Sequence, residues 1–221
     1  MGLADPAFPA SEAFDAIQAG INENPKDKAD AVKKALQMGA DKGVHVSDDA
    51  ISGSDAPATS LVLAEAIRKI GDVDLVLTGM ASTDGSMSVV PAMLAERLGL
   101  PQVTFASELT VDGQTVTIRR DGDAASETIT ATLPALVSVT DQINEPRYPS
   151  FKGIMAAKKK PVETKTLADL GVDASVVGLA NATTQVLDFA GRPPKGEGVK
   201  VTDEGDGAQK FVEFLASQKI V

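Results

Sequence analysis

Apolar positions along this chain alternate between a helical and an extended spacing. From Pro25 to Gly39 the segment PKDKADAVKKALQMG sets Val32, Ala35 and Leu36 on one face and charges on another, with Gly39 in the C-cap position; this predicts a helix. Gly43-Val44-His45-Val46 follows as a short extended run, stopped by Ser47-Asp48-Asp49. A second helix is predicted from near Asp55 through LVLAEAIRKI to Ile70, with Pro57 tolerated in its first turn. Val73 to Thr78 is a nearly continuous apolar run, as a parallel strand covered on both faces should be. Ser88 to Leu98 returns to helical spacing, with Gly99 as its stop and Pro101 beyond. Helices alternating with short apolar strands predict an α/β sandwich built on a Rossmann-like parallel sheet.

The middle of the chain changes character. Glu108 to Val111 and Gln114 to Arg119 flank Asp112-Gly113, a strong hairpin signal, and Ala125 to Thr132 adds a further β-like run. An antiparallel hairpin excursion from the parallel sheet is expected. Leu133 to Val139 regains buried-strand character. Asn144 to Pro161 then shows little periodicity and many turn residues, and so long a loop calls for a function. Gly191 to Gly196 and Asp203 to Gly207 read as linkers before a short amphipathic helix with Phe211, Phe214 and Leu215. The aromatics of this C-terminal arm, 191–221, must pack on their own domain or on a partner chain. At the other end, 1–24 has no strand-like run, and Phe14 and Ile17 suggest only a short helix.

Composition narrows the functional classes. With 221 residues and 43% hydrophobic content, the chain can bury one sizeable core. No apolar run approaches the roughly 18 residues of a membrane span, and no basic-then-apolar signal opens the chain; a cytoplasmic protein without membrane insertion is the default. Cysteine is absent and His45 is the single histidine. That leaves no set for a Cys-ligated metal or a Ser-His-Asp machine, so no metal site is expected, and His45 reads as a partly buried residue ending a strand. A net charge of -10 disfavours nucleic acid as a partner. Against this acidic background Lys152, Lys158, Lys159 and Lys160 form a basic patch beside Tyr148, the single tyrosine. It reads as a solvated face or as a docking surface.

One connection has the chemistry of an anion site. Gly79-Met80-Ala81-Ser82-Thr83-Asp84-Gly85-Ser86-Met87 joins a strand to a helix, where open α/β sheets bind ligands. Glycines allow close backbone approach, hydroxyls donate, and the free amides of the next helix attract phosphate. The segment is neither GxGxxG nor a P-loop, so phosphate binding and an ordinary connection both stay open.

The long loop carries a resemblance. Asn144-Glu145-Pro146-Arg147-Tyr148-Pro149-Ser150-Phe151-Lys152-Gly153-Ile154-Met155-Ala156-Ala157-Lys158-Lys159-Lys160 closely resembles the signature segment of electron transfer flavoprotein β subunits. ALQMGADKGVHVSDD, DLVLTGMASTDGS with PAMLAERLGLPQ, and the closing VTDEGDGAQKFVEFLASQKIV are similar to that family too, so the resemblance runs from about Pro25 to Val221. It implies a nucleotide-binding domain over 25–190, and an arm over 191–221 that packs on a partner. It further implies a β subunit that binds AMP structurally and pairs with an α subunit holding the redox-active FAD. Gly79, Ala81, Ser82, Thr83, Asp84, Gly85, Ser86, Ser88 and Val90 would form the AMP phosphate loop, with Asp84 bracing the loop or touching ribose. Arg147, Tyr148, Phe151, Lys152, Ile154, Met155, Lys158, Lys159 and Lys160, within 144–161, would dock acyl-CoA or other flavin dehydrogenases. Phe151 takes the anchor position, where some lineages carry leucine. Electrons would pass from fatty acid β-oxidation through an electron transfer flavoprotein–quinone oxidoreductase toward the respiratory chain. The subunit would contribute no catalytic residue of its own. The opening departs from the family: 1–24 does not resemble its leading Val-Lys-Gln-Val-Pro strand, nor are two further strands recognisable. Two alternatives stay open: a β subunit binding a second FAD in an electron-bifurcating complex, or a free-standing adenine-nucleotide-binding regulator.

Overall fold

The computed structural model describes residues 30–82, 85–184, 187, 188, 190, 191, 194, 198 and 200–220, together with the backbone of 15–19. It divides into two compact units, 1–185 and 186–221. The larger contains β1 (Asp15–Ala19), α1 (Asp30–Met38), β2 (Lys42–Val46), α2 (Ala56–Ile70), β3 (Leu75–Gly79), α3 (Val90–Leu98), β4 (Gln102–Asp112), β5 (Thr115–Asp121), β6 (Ser126–Thr132), β7 (Ala135–Val139), α4 (Phe151–Ala157), β8 (Val162–Lys165) and α5 (Leu167–Leu170). The smaller contains α6 (Gly207–Ser217).

The strands form two sheets. One has the order β1-β2-β8 and is wholly parallel. The other has the order β3-β7-β4-β5-β6, with β3, β7 and β4 parallel and the β4-β5-β6 meander antiparallel. The Rossmann-like α/β class and its antiparallel excursion are therefore present, while the parallel strands are shared between two sheets instead of lying in one. The β4–β5 hairpin turns where Asp112-Gly113 signals it: Asp112 faces Thr115, and Gly113 takes the left-handed φ of +55°. One expectation is corrected. Ile17 lies in a strand, not a helix, because five residues cannot sustain a helix alone, whereas β2 offers a complete parallel ladder from Asp15–Lys42 to Ala19–Val46. Phe14 lies outside the described residues.

Helix α2 joins the sheets. Its Ala58, Val62 and Ala66 pack with Val46, Ile51, Leu167, Leu170 and Val177 on the β2 side. Its Ala64 and Ile67 pack with Val76, Leu94 and Leu136 on the β3 side. A helix flanked on two sides must be apolar on two sides, which explains the sparse charge of APATSLVLAEAI. A third cluster, Val103, Ala106, Val116, Ile118 and Val137, underlies the meander.

The N-terminus of α2 is a junction. Asp55 caps it, accepting from Ala58 N at 3.1 Å. Its other carboxylate oxygen accepts from Thr183 N at 2.6 Å, Thr183 Oγ1 at 2.8 Å and Thr184 N at 3.3 Å. Nearby, Gly178 N donates to Ser54 Oγ and Leu179 N to Ser52 O, so residues 178–184 are pinned over the start of α2. Partial burial pushes the Asp55 pKa up, but the donors on Thr183, Ala58 and Thr184 outweigh it and hold the carboxyl below its ordinary value. A depressed folded-state pKa means stability that is present above the unfolded-chain pKa and lost as pH falls through the folded-state value. Asp55→Ala is expected to lower the unfolding free energy by about 1–2 kcal/mol at neutral pH in urea titrations. The difference from the parent should begin to shrink as pH falls below about 4, where the unfolded carboxyl takes up its proton, and go on shrinking until the folded carboxyl is protonated too.

Candidate functional site

The connection from β3 to α3 is built from unusual backbone. β3 ends at Gly79, which is exposed, as are Ala81, Ser82, Gly85 and Ser86. Gly85, Ser86 and Ser88 take φ of +67°, +47° and +56°. For serine the left-handed region costs on the order of 1 kcal/mol, so Ser86 and Ser88 hold strain that the turn must offset elsewhere. Turns whose successive amides share one side can bind an anion. Ser86 Oγ closes the turn by donating to Ser82 O at 3.3 Å.

Helix α3 then starts without a cap. Val89 makes no side-chain cap hydrogen bond, Pro91 occupies the first turn, and Val90 is half-buried. The first-turn amides and the helix dipole therefore point back at the loop. Thr83 and Asp84 lie outside the described residues. Cavities of about 150 Å³ beside Ile67 and Leu98 and about 190 Å³ beside Lys42 and Lys165 lie on other elements. Neither cavity includes a residue of the β3–α3 loop.

A neighbouring feature was invisible in the sequence. Phe105, in β4, takes φ of +62°, and its N–H donates to the buried Ser138 Oγ at 2.9 Å where the β4–β7 register shifts. Ser138 pairs with Thr78 and Val139 with Gly79, so this bulge braces the strand ends from which the loop departs. No residue-type signal announces a phenylalanine in that conformation.

The segment expected as a long loop contains a helix. Ser150 caps α4 by accepting from Gly153 N at 3.0 Å, a start signal that lay in Pro149-Ser150. Tyr148 and Phe151 are 91% and 81% exposed; Lys152, Met155, Lys158 and Lys159 are exposed, and Ile154 is half-buried. Arg147 and Lys160 differ from these, because both donate to backbone carbonyls at the end of α1. The α4 segment packs on α1, while the β3–α3 loop leaves β3 in the other sheet. His45 is buried at 5% exposure within β2, opposite Gln18 and Thr164. Among the described residues no group of His, Asp and Glu side chains is placed to hold a metal ion, and no helix is long and apolar enough to cross a membrane.

A family model described as the electron transfer flavoprotein domain matches residues 21–170. The chain is 49% identical over 213 residues to the electron transfer flavoprotein subunit beta of Mycobacterium leprae, covering 95% of this chain and 80% of that protein. This chain belongs to the electron transfer flavoprotein β-subunit family. The subunit beta of Megasphaera elsdenii is 31% identical over 211 residues, covering 91% of this chain and 78% of that protein. Subunit CarD of the caffeyl-CoA reductase–Etf complex of Acetobacterium woodii is 34% identical over 178 residues, covering 80% of this chain and 68% of that protein. Membership gives the chain an electron-transfer role within a flavoprotein, with an α subunit and dehydrogenases as the partners implied in general terms.

The loop's conformation yields a direct test. Gly85 has φ of +67° and only an ordinary 3.8 Å contact for an added Cβ, so substitution there acts through backbone conformation, not crowding. Gly85→Val is expected to cost about 1–2 kcal/mol in denaturant melts. A substitution at Gly191, which has no such φ and open space around it, should change stability little.

Proposed function

We propose that this chain is the β subunit of a heterodimeric electron transfer flavoprotein, binding AMP structurally in the loop from Gly79 to Val90. The observation that carries the reading is the left-handed backbone at Gly85, Ser86 and Ser88 immediately before α3, whose N-terminus has no side-chain cap. Backbone amides and serine hydroxyls there fit a phosphate, and the helix dipole favours its charge. Thr83 and Asp84 complete the loop, Asp84 bracing it or touching ribose. AMP brings no redox chemistry. The electron-carrying group is FAD on the α subunit, which supplies flavin redox chemistry when bound. This chain's residues hold the nucleotide, support the α subunit and supply no catalytic acid, base or nucleophile.

The segment from Arg147 to Lys160 docks acyl-CoA or other flavin dehydrogenases, with Phe151 as apolar anchor and lysines around it. A small apolar contact inside a charged rim associates quickly and releases quickly, as an electron shuttle requires. Electrons then pass through a quinone oxidoreductase toward the respiratory chain. Residues 25–190 form the nucleotide-binding domain, and the arm 191–221 packs on the α subunit. The arm has the apolar side chains for this: Phe211, Val212 and Phe214 are all exposed on α6. The assembly works in the cytoplasm.

A second reading places FAD in the same loop, its diphosphate replacing the AMP phosphate. Similarity to a subunit of a caffeyl-CoA reductase–Etf complex favours it. Co-expression with a matching α subunit, purification through a tag on this chain, and analysis of released nucleotides separates the readings. One FAD and one AMP per pair is the expected result. Two FAD would replace AMP by flavin, and nucleotide on this chain without an α partner would favour a free-standing regulator. Gly85→Val should reduce the AMP content of the purified pair while leaving its FAD in place.

A further inference from the structure

Helix α1 ends with no basic residue in its last turn, and its terminal carbonyls have no intrahelical donor. The cations that answer them come from far along the chain. Lys160 Nζ donates to Ala40 O at 2.5 Å, Gly39 O at 3.1 Å and Leu36 O at 3.3 Å. The Arg147 guanidinium donates to Met38 O. One of these residues precedes α4 and the other follows it, so both ends of α4 are fastened to the same carbonyl cluster. Between them Gly153 lies so close to α1 that an added Cβ would fall 2.5 Å from Gln37 O. Ala157 packs against the cluster of Val32, Leu36 and Ala40. The seven residues of α4 are too few to persist as a helix on their own; they are held by α1.

This divides the basic tract. Lys158 and Lys159 are exposed, as is Lys152, whereas Lys160 is half-buried with its ammonium among three carbonyls. We infer that Lys160 and Arg147 are positioning residues that lock α4 onto the carbonyl end of α1. Lys152, Lys158 and Lys159 then form the cationic rim around Phe151, fitted to an apolar socket edged with carboxylates on a flavin dehydrogenase. The inference rests on the docking reading above and goes beyond it by separating residues that touch the partner from residues that hold the platform. The two roles respond differently to salt. Exposed charges steer association and are screened as ionic strength rises. A half-buried ammonium bonded to carbonyls acts through the order of the helix and is screened much less.

The experiment uses the assembled heterodimer, with FAD content confirming intact assembly. It measures amide hydrogen exchange over 150–160 and the rate constant for reduction by an acyl-CoA dehydrogenase across a range of ionic strength. Lys160→Met should speed exchange in α4 about tenfold, the scale set by losing hydrogen bonds from a charged donor. The same variant should lower the rate at every ionic strength without changing its slope against salt. Gly153→Ala keeps every charge and should reproduce both effects by pushing α4 away from α1. The double variant Lys158→Met and Lys159→Met should leave exchange as in the parent and flatten the salt dependence. A Lys160→Met protein with unchanged exchange and a flattened slope would overturn the inference and place Lys160 in the rim. Faster exchange in Lys160→Met, with no rate change in either lysine variant, would uphold the clamp and remove the docking reading beneath it.

Discussion

Two sheets share one helix, and the arrangement of the larger unit depends on how α2 meets that demand. Alanines at 58, 64 and 66 let it sit close to both sheets, while Val62 and Ile67 fill the space on opposite sides. Its ends and flanks carry connections outward. Asp55 binds residues 183 and 184 to its start. Arg97 of α3 donates through Nε to the buried Ser60 Oγ at 2.9 Å and through its terminal nitrogen to Pro57 O at 3.1 Å. The helix that offers its N-terminal amides to the β3–α3 loop is thereby oriented by α2, and β3, which feeds that loop, packs on α2 through Val76.

On the proposed function, the loop and the α4 segment would be two kinds of recognition surface. The loop is a backbone device: left-handed residues and an uncapped helix present N–H groups, and side chains matter mainly by being small. Serine at two strained positions has a cost that glycine would avoid, and it supplies hydroxyls where glycine supplies none. The α4 segment is a side-chain device, with Phe151 exposed on a short helix that has little stability of its own and Tyr148 exposed just before it. Such a helix needs fastening, and the end of α1 provides it at modest cost, because carbonyls already lacking partners are the ones that accept.

A run of lysines looks uniform as text. Consecutive residues at the end of a helix point in different directions, so Lys158 and Lys159 face solvent while Lys160 turns back onto α1. Distance along the chain, from Leu36 to Lys160, hides that meeting completely. The reach of an ammonium on a four-carbon stem makes it possible.

Local code was sufficient for much of this protein. The cap at Asp55, the first-turn Pro57, the left-handed stop at Gly99, the turn at Gly113 and the apolar run of β3 each reflect forces between near neighbours, and each was legible in the residues. The segment from Asn144 to Lys160 also identified the family by itself, and the candidate loop was legible by its place between β3 and α3. What the residues did not reveal depends on contacts across the chain. Residues 15–19 become a strand because β2 supplies a ladder, and the parallel strands separate into two sheets around α2. Phe105 adopts its left-handed conformation because Ser138 accepts its N–H, and α4 forms because α1 ends beneath it. Propensity and periodicity register the energies of residues a turn apart. Strand pairing, bulges and carbonyl capping draw their energy from groups brought together by the fold, so only the tertiary structure could decide them.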